Sequence, residues 1–585
     1  MTTQTLTELF DDTAARHPER IAVRDESTAL TYRELADRSV GLGRRLRGLG
    51  VAPGDLVGVH LQRKADLFVV LLGVLRTGAA YVAIDSRYPD ARRDLMLRLS
   101  GVQVMITEPD WAERLDGSEV RVLTLPLPDA PTVEGPLPAP RPEDAASVLF
   151  TSGSTGTPKA IVLEHRNLVT FARNSGLPAL TEQDRTGQIC SLSFDLFHWE
   201  TWSSFAAGAE VSVLPLVPDL LAAGFDKEIR RLGITAMFVP TMVMGHVTDE
   251  QPDAFAALRL LFFGGDVIAP AVCRVILEAG FEGGLHNLYG PAECTTAVVA
   301  HRVTMEDTYK QSVPVGRALD RVVVEVRDPE GVPVGPGTSG ELFLGGPQVA
   351  RGYLGRPDLT AERFSQQEGP QGVTRFYRTG DLVRVGEDGV IDFLGRADRQ
   401  VKIRGYRVEP GEVDRFLLGL PGVQDVVVTP VGEGVDRRLV AFVVAPGGTT
   451  RQELLTAAER NLPHFMVPSD LRLVDRIPAD QHGKRIVSEL LEELAADSTG
   501  NASDAVPAGV EEEFVIKLWE ELLGVDGIKG SDDFFTLGGN SLLAFRVQLK
   551  IERRFGVKIA NADIMKNSPA AELAARIRAQ GPSGV

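Results

Sequence analysis

The stretch TSGSTGTPKA, residues 151–160, directly follows the apolar run ASVLF at 146–150. Glycines and small hydroxyl side chains after a strand let backbone N–H groups and hydroxyls converge on phosphate oxygens, and Lys159 adds a positive charge. The GxxxxGK[ST] spacing of a Walker A loop is absent. A surface turn has a similar composition, but the full ten-residue string is far more specific. It therefore predicts a phosphate-binding loop at the end of a strand.

The sequence around this loop predicts an α/β fold. From residue 5 to about 390, helical periodicity alternates with short β-branched runs, as in YRELADRSVGLGRRLRGLG followed by LVGVHL. Strands separated by helices imply parallel sheets with crossover helices. Between 310 and 395 short strands and Gly/Pro turns predict a β-rich subregion. From 399 to about 490, a helix, two strands and a helix predict a small α+β unit.

The C-terminal part predicts a linker and a small all-α domain. AADSTGNASDAVPAG at 495–509 lacks an apolar period and is typical of a flexible linker, whereas EEEFVIKLWEELLG is amphipathic. We predict a helix bundle close to the lower size limit for independent folding. The predicted limits are 1–395 for the large domain, 396–492 for the small α+β subdomain, 493–510 for the linker and 511–585 for the bundle.

Composition excludes several classes of protein. At 585 residues the chain exceeds the size of a single hydrophobic core, and its net charge of −18 argues against non-specific nucleic-acid binding. Its three cysteines form no CxxC pair, which argues against a zinc site and a disulfide framework. The N-terminus is polar, and the apolar stretch LFVVLLGVL at 67–75 is about half a membrane span. We expect a cytoplasmic protein that does not associate with membranes.

The loop at 151–160 resembles the phosphate loop of the adenylate-forming enzymes, in particular the adenylation domains of non-ribosomal peptide synthetases. Further motifs of that family occur in the family's order along the chain, between about residue 5 and residue 490. They are LTYRELADR (30–38), NLYGPAECTT (287–296), GELFLGG (340–346), YRTGDLV (377–383), GRADRQVKIRGYRVEPGEVD (395–414) and HGKRIV (482–487). The resemblance implies an adenylation core, a C-terminal subdomain and the binding of ATP and Mg²⁺.

Several residues gain a nucleotide or metal role from this resemblance. Glu293 is a carboxylate suited to hold Mg²⁺ through oxygen, together with Thr155. Tyr289 offers a flat face for adenine, and Asp381 is a short acceptor suited to a ribose diol, supported by Arg396. A solvated acid, a core aromatic and an Asx-turn acid are the respective structural alternatives. The implied ATP-binding set comprises Thr151, Ser152, Gly153, Ser154, Thr155, Gly156, Lys159, Gly265, Asn287, Tyr289, Asp381 and Arg396.

Two lysines are the predicted catalytic residues. Lys484 bridges the substrate carboxylate and the nucleotide, which stabilises charge where the carboxylate attacks phosphorus. Its context, HGKRIV, departs from the family pattern at His482 and Ile486. By resemblance, Asp398 is the hinge of the small subdomain, and Lys402 lies on the face used in the second half-reaction.

SFDLFHWE at 193–200 matches the region in which the family binds its amino acid. Asp195 lies inside an aromatic run, where an unpaired carboxylate is costly, and the family pairs this position with the substrate α-ammonium. A helix N-cap is the structural alternative, and Phe197 replaces the serine common in the family. The remaining pocket positions by motif are Leu196, Trp199, Phe238, Phe262, Gly264, Leu288, Thr296 and Ala297, closed by Lys484.

The predicted pocket carries one hydroxyl and no charge besides Asp195 and Lys484. A charged substrate side chain would be buried unpaired, so the sequence predicts a neutral, apolar side chain. Three aromatic residues fill space and favour an aliphatic chain such as leucine, isoleucine or valine. An alanine-sized side chain remains open, and an aryl side chain is disfavoured.

DDFFTLGGNSLLAFRVQLKIERRFG, residues 532–556, resembles the carrier-protein motif of the same synthetases. Ser541 matches the serine that carries 4′-phosphopantetheine. It is not in a GxSxG nucleophile elbow, and no histidine lies nearby in sequence to activate it. A helix cap is compatible with modification, because a cap is exposed at the start of a helix.

Together these motifs predict an enzyme that adenylates an amino acid and transfers it to the phosphopantetheine thiol of its own carrier domain, in natural-product biosynthesis. Implied partners are a phosphopantetheinyl transferase, a downstream synthetase module or tailoring enzyme, and a small MbtH-like activator. An acyl- or aryl-acid–CoA ligase of the same superfamily is the main alternative, and Asp195 and Ser541 argue against it. A binding protein whose adenylation half has decayed is the second alternative, and the retained Thr155, Glu293, Asp381 and Lys484 argue against it.

Overall fold

In a computed structural model the chain forms two compact units, which are described separately. The first comprises residues 1–409 and 460–463, and the second comprises 410–459 and 464–585. The description covers the whole chain apart from residues 1–3, 116–119, 128–133, 154–155, 370–371, 404, 433–436, 479–485, 501–508, 524–526, 533, 535–536, 538, 540, 558, 560–563, 565–568 and 581–585, and apart from the side chains of 493, 495–500, 541–542, 545, 549 and 580.

The first unit contains a nine-stranded sheet whose six central strands are parallel, with an antiparallel pairing at one edge and two at the other. In spatial order its strands are Arg317–Ala318, Val299–Arg302, Gly284–Tyr289, Leu260–Gly264, Ala236–Phe238, Arg185–Gln188, Glu210–Val213, Ile21–Arg24 and Ala29–Thr31. Carboxyl ends of neighbouring parallel strands meet at one edge, where substrates of open α/β sheets bind.

A seven-stranded sheet carries the phosphate loop. The strand Ala145–Thr151 ends where the loop begins, and it pairs in an antiparallel manner with the strand Lys159–Glu164 that follows the loop. The loop therefore joins two antiparallel strands, with Thr151 opposite Lys159. In spatial order the strands are Gly352–Tyr353, Lys159–Glu164, Ala145–Thr151, Ala80–Ala83, Leu56–His60, Val104–Thr107 and Arg121–Thr124.

Helices connect these strands, as the alternating sequence pattern predicts. The helix Tyr32–Gly48 begins with a capping box between Thr31 and Glu34. The helix Ala65–Arg76 is apolar on all sides and nearly wholly buried, which explains the apolar stretch at 67–75. The other helices of the first unit are Leu6–Arg16, Asp90–Ser100, Pro109–Ala112, His165–Ala172, Leu196–His198, Trp199–Ser203, Ser204–Ala207, Val217–Ala223, Phe225–Leu232, Thr241–Glu250, Pro270–Glu278 and Pro357–Arg363, with 3₁₀ turns at Glu113–Leu115, Ala292–Cys294 and Glu306–Tyr309.

The predicted β-rich subregion is a five-stranded antiparallel sheet. Its strands are Val323–Arg327, Ser339–Gly345, Phe364–Gly369, Gly372–Val385 and Ile391–Arg396. A separate hairpin follows, formed by Val401–Ile403 and Tyr406–Val408. The hairpin belongs to the first unit, whose boundary lies after Glu409, whereas the sequence places the domain boundary at 395/396.

The second unit contains the small α+β element and the helices of the C-terminal part. Its sheet joins Asp425–Val431, Arg438–Val444 and Asp470–Leu473, and the sequence pattern missed the third strand. The helix Val487–Gly500 extends into the predicted linker, so residues 495–500 are helical; alanines at 495 and 496 favour continuing it. The helices are Pro410–Leu418, Arg451–Asn461, Val487–Gly500, Val510–Leu523, Ser541–Phe555 and Ala570–Gln580, with a 3₁₀ turn at His464–Met466.

The C-terminal helices share a core of their own. Val515, Trp519, Val547 and Ile577 are buried in it together with Phe534. This core supports the predicted bundle at 511–585. Among the described residues, no helix combines the length and the apolar character needed to span a bilayer.

Candidate nucleotide and substrate site

The phosphate loop requires glycine where its backbone folds closely on itself. A Cβ atom on Gly153 would lie 1.8 Å from the carbonyl oxygen of Thr157, and Gly156 adopts a φ of +76°. The N–H of Gly156 donates to the carbonyl of Gly153 at 2.8 Å. Ser154 and Thr155, predicted to bind phosphate and metal, lie outside the described residues.

Three residues predicted to bind the nucleotide meet at one carboxylate. Tyr289 ends a strand of the nine-stranded sheet, and its hydroxyl donates to Oδ2 of Asp381. Arg396 lies opposite Asp381 across two antiparallel strands and contacts Oδ1. Asp398 receives the other side of the Arg396 guanidinium, with Nε to Oδ1 at 2.7 Å. The cluster presents aromatic and hydrogen-bonding groups together, as a nucleoside site requires.

The other predicted nucleotide residues occupy nearby strand ends. Asn287 lies two residues before Tyr289 on the same strand, and its amide donates to the carbonyl of Pro314 at 2.9 Å. Gly265 follows the neighbouring strand Leu260–Gly264 with a φ of +83°. These positions share one sheet edge, as expected for the carboxyl ends of parallel strands.

Glu293, the predicted metal ligand, is fully buried and has both carboxylate oxygens occupied. The Tyr353 hydroxyl donates to Oε1 at 2.8 Å, and Nη1 of Arg407 donates to Oε2 at 2.8 Å. Burial raises the pKa of Glu293, but Arg407 and Lys159 outweigh it and lower the pKa to about 2. The ionised oxygen donor suits Mg²⁺, which typically binds through one or two carboxylates plus substrate phosphates. Across the described residues, no cluster of three or more His, Cys, Asp or Glu side chains forms a metal site.

Of the two predicted catalytic lysines, Lys402 lies within the described part of the chain and Lys484 lies outside it. Lys402, on the hairpin, places Nζ 6.0 Å from the centre of the Tyr289 ring, at the limit of a cation–π contact. Burial lowers the pKa of Lys402, whereas Asp381 and Asp266 favour its charged form. Lys484 lies outside the described residues, so its role stays a prediction.

Asp195 occupies the N-cap position of the helix Leu196–His198, but its side chain makes no capping hydrogen bond. The helix-cap alternative therefore does not account for its carboxylate. Burial raises the pKa of Asp195 to about 7, and the backbone N–H of Leu196 offsets this only in part. Within the described part of the chain, it forms no salt bridge.

The predicted apolar pocket residues form one buried cluster, separate from the main core. The Trp199 and Phe262 rings lie 4.7 Å apart, and the Trp199 and Phe238 rings lie 6.5 Å apart. Its buried hydrophobic members are Phe171, Trp199, Ala236, Phe238, Leu260, Phe262, Leu288 and Ala297, with Leu196 packed against them.

Gly264 and Thr296 complete the set of predicted pocket positions. A Cβ atom on Gly264 would lie 2.2 Å from the carbonyl oxygen of Leu288 on the paired strand, so glycine is required there. Thr296 has a φ of +68°, and its hydroxyl donates to the carbonyl of Asp195 at 2.7 Å. Thr296 therefore links the segment that follows the strand Gly284–Tyr289 to the segment that contains Asp195.

The sequence pattern missed Glu200, which is fully buried one residue after Trp199. Its carboxylate accepts from the N–H groups of Ile189 and Cys190, at 3.0 and 3.2 Å, and from the Gln188 amide at 2.7 Å. Glu200 thus fastens the segment Trp199–Ser203, a single π-helical turn, to the end of the strand Arg185–Gln188. Its adjacency to Asp195 and Trp199 in SFDLFHWE was the available signal.

Arg407 and Tyr353, the partners of Glu293, were also missed. Arg407 lies inside the motif GRADRQVKIRGYRVEPGEVD, but no local pattern assigns it to a carboxylate more than a hundred positions earlier.

Ser541 begins the helix Ser541–Phe555, and its side chain lies outside the described part.

Comparison with known proteins adds independent evidence. Residues 10–354 match the family described as AMP-binding enzyme, 412–484 match the AMP-binding enzyme C-terminal domain, and 513–577 match a phosphopantetheine attachment site. The described fold is similar to that of holo-PA1221, an NRPS protein containing adenylation and PCP domains, with a TM-score of 0.85 and 28% identity over 99% of this chain and 97% of that one.

Two synthetases illustrate the sequence relatives. Gramicidin S synthase 2 of Brevibacillus brevis is 32% identical over 100% of this chain and 13% of its own length. Phosphinothricin tripeptide synthetase PhsC of Streptomyces viridochromogenes is 36% identical over 95% of this chain and 51% of its own length. The chain thus spans about half, or much less, of these relatives.

Proposed function

This chain belongs to the family of AMP-binding enzymes, and on that premise we propose that it activates a neutral, aliphatic amino acid and transfers it to phosphopantetheine on Ser541. Members of this family with a carrier domain are ATP-dependent, AMP-forming ligases, and this chain is one. The proposal adds the amino-acid substrate, its side-chain class and the roles of individual residues.

The partly buried carboxylate of Asp195, whose pKa is raised by desolvation to about 7, carries the proposal. A carboxylate in an apolar environment is costly when ionised and unpaired, and the α-ammonium of an amino acid supplies the missing charge. A fatty or aryl acid brings no such cation. Asp195 therefore favours an amino acid over the acyl- or aryl-acid substrate of a CoA ligase.

The apolar cluster around Trp199 supports the side-chain class. Phe238 and Phe262 narrow the space beside Trp199, so an aliphatic side chain fits better than an aryl one. A charged side chain would lose its hydration without gaining a partner.

The chemistry assigned to the chain's residues has two stages. The phosphate loop and Lys159 bind the ATP phosphates, Asp381 and Arg396 orient the ribose, and Lys484 stabilises charge during attack by the substrate carboxylate. Thr155 and Glu293 would hold Mg²⁺, which neutralises phosphate charge.

In the second stage the phosphopantetheine arm on Ser541 supplies the accepting thiol, and AMP leaves. We propose that the small subdomain pivots near Asp398 and withdraws Lys484 between the stages, while Lys402 serves the second. A phosphopantetheinyl transferase, a downstream module or tailoring enzyme, and an MbtH-like activator are the proposed partners, in natural-product biosynthesis.

Amino-acid-dependent ATP–pyrophosphate exchange tests the substrate assignment. A panel would hold leucine, isoleucine, valine, alanine, phenylalanine, aspartate, lysine, a fatty acid and an aryl acid, with and without an MbtH-like protein. Exchange confined to neutral aliphatic amino acids is expected. Exchange with only the fatty or aryl acid would refute amino-acid activation, and exchange with only the charged amino acids would refute the side-chain class.

Mass spectrometry tests the carrier assignment. Incubation with CoA and a phosphopantetheinyl transferase should add one arm to the wild-type chain and none to Ser541→Ala. Ser531→Ala replaces an exposed serine of the same domain and should be modified like the wild type. An arm on Ser541→Ala protein would contradict the assignment.

A further inference from the structure

The turn at 295–297 supplies two residues of the predicted amino-acid pocket and has an unfavourable backbone conformation. Thr295 and Thr296 have φ values of +59° and +68°, in the left-handed region that β-branched residues rarely adopt. Such conformations persist only where the surrounding structure holds them firmly, and they concentrate at functional sites. The contacts that hold this turn therefore also determine the shape of the pocket.

Gln348 holds the turn from one side. Its side-chain Nε2 donates to the carbonyl of Ala297 at 2.8 Å, and its backbone carbonyl accepts from the Thr295 hydroxyl at 2.7 Å. Gln348 and Ala297 are each only 1% exposed. Because a buried carbonyl is costly to leave unpaired, the bond from the Gln348 amide fixes the position of Ala297.

The other end of the Gln348 amide is fixed by Asn174. Nδ2 of Asn174 donates to Oε1 of Gln348 at 3.0 Å and to the carbonyl of Asp320 at 2.9 Å. Since Oε1 accepts this bond, the amide is oriented with Nε2 towards Ala297. A neighbouring side chain thus keeps the donor directed at the turn.

The segment around Gln348 is anchored to the helix His165–Ala172. Nδ2 of Asn167, on this helix, donates to the backbone carbonyls on both sides of Gln348, at 2.7 and 3.1 Å. The same helix carries Phe171, which belongs to the buried pocket cluster together with Ala297. Gln348 therefore connects two walls of that cluster.

We infer that Gln348 is a positioning residue that sets the size selectivity of the amino-acid pocket. Discrimination of one methylene in an apolar pocket is about 10- to 200-fold, and it depends on a wall that does not yield. Within the described part of the chain, Gln348 forms no hydrogen bond to the predicted nucleotide residues. The inference rests on the proposed function for the identity of the pocket, and it adds a residue outside the predicted pocket set.

Hydrogen exchange of the full chain, without amino acid or nucleotide, tests whether Gln348 holds the turn. Gln348→Met removes the donor, keeps a side chain of similar length and buries no charge. Peptides spanning 292–299 should exchange about tenfold faster in this variant than in wild type. The N–H groups of Ala297 and Val298 report on the turn, because both donate to backbone carbonyls there.

Steady-state ATP–pyrophosphate exchange tests the effect on selectivity. Gln348→Met should raise KM for the preferred amino acid about tenfold and leave KM for ATP within about twofold of wild type. The ratio of kcat/KM between that amino acid and one that is a methylene smaller should fall about fivefold, because the wall yields.

Two further variants make the test specific. Asn174→Ala releases Oε1 of Gln348 but leaves its donor, and should change both measurements in the same direction by a smaller factor. It keeps the test available if thermal unfolding shows that Gln348→Met does not fold. Gln103→Met makes the same replacement at an exposed glutamine, whose Nε2 donates to the carbonyl of Gly101 at 3.2 Å, and should match wild type.

Wild-type exchange of 292–299 in the folded variants would overturn the inference. An equal rise in KM for ATP and for the amino acid would also overturn it, because a general loss of packing affects both sites. If only fatty or aryl acids support pyrophosphate exchange, the same selectivity ratio is measured with those acids. The proposed function would then fail while the role of Gln348 is still decided, and hydrogen exchange decides it without any substrate.

Discussion

Replacing Asp195 with asparagine keeps the shape of the side chain and removes its charge. The pKa of Asp195 is raised from 3.8 to about 7. At 1.36 kcal/mol per pH unit, the ionised carboxylate is therefore destabilised by about 4 kcal/mol relative to the protonated form. A bound α-ammonium restores that energy by pairing. Losing one partner of a buried pair costs about 3–5 kcal/mol, so kcat/KM for the amino acid should fall about 150- to 5000-fold.

The same group makes activity and stability depend on pH in opposite senses. Binding requires ionised Asp195, so wild-type kcat/KM should fall about tenfold per pH unit below about pH 7. In the substrate-free protein, the raised pKa stabilises the fold fully below the unfolded value near 3.9, and this contribution disappears as pH rises to about 7. Asp195→Asn should therefore be more thermostable than wild type at pH 8 and nearly equal to it at pH 4.

Exchange kinetics and thermal unfolding of both proteins across pH check this reasoning. Asp253→Asn, at an exposed position of the same unit, should match wild type in both measurements. Wild-type kcat/KM for the amino acid retained in Asp195→Asn would refute the pairing. A loss of thermal stability at pH 8 would instead show that the carboxylate is satisfied within the fold.

Three further substitutions address the pocket. Glu200→Gln loses acceptors for backbone N–H groups and should lower the free energy of unfolding by about 1–3 kcal/mol in urea denaturation, and raise the amino-acid KM more than it lowers kcat. Trp199→Ala should cost about 3–5 kcal/mol of stability and shift exchange towards larger apolar amino acids, as the substrate panel would measure. Gly264→Ala clashes with the Leu288 carbonyl and should unfold at lower temperature, whereas Gly245→Ala, in open space on a helix, should gain about 0.5–1 kcal/mol; equal melting temperatures would contradict the close approach.

Local patterns were sufficient for most elements that carry the site. The alternation of helical and β-branched periods predicted the parallel sheets, and ASVLF predicted the strand before the phosphate loop. The match to the family described as AMP-binding enzyme confirms the family resemblance on which the residue assignments rest. The domain limits and site roles stay predictions, although the geometry gathers Tyr289, Asp381 and Arg396 at one place.

The residues that sequence analysis missed act over long distances in the chain. Its position in the sequence does not distinguish Glu200 from a solvent-exposed glutamate on a helix. Only the fold brings its carboxylate to the N–H groups of Ile189 and Cys190. Arg407 stands among several cations, and nothing local distinguishes it from a solvated one until Glu293 is placed beside it. The helix that continues to Gly500 was missed because its last residues lack an apolar period.

The helix that begins at Ser541 has a consequence for the modified protein. A phosphodiester attached there would place a lasting negative charge at the first turn, where unsatisfied N–H groups and the helix dipole favour an anion. Such a charge is worth roughly 0.3–1 kcal/mol at an exposed helix start. Attachment of the arm would then act as a helix cap, so the carrier domain that bears the arm would unfold at a higher temperature than the unmodified one.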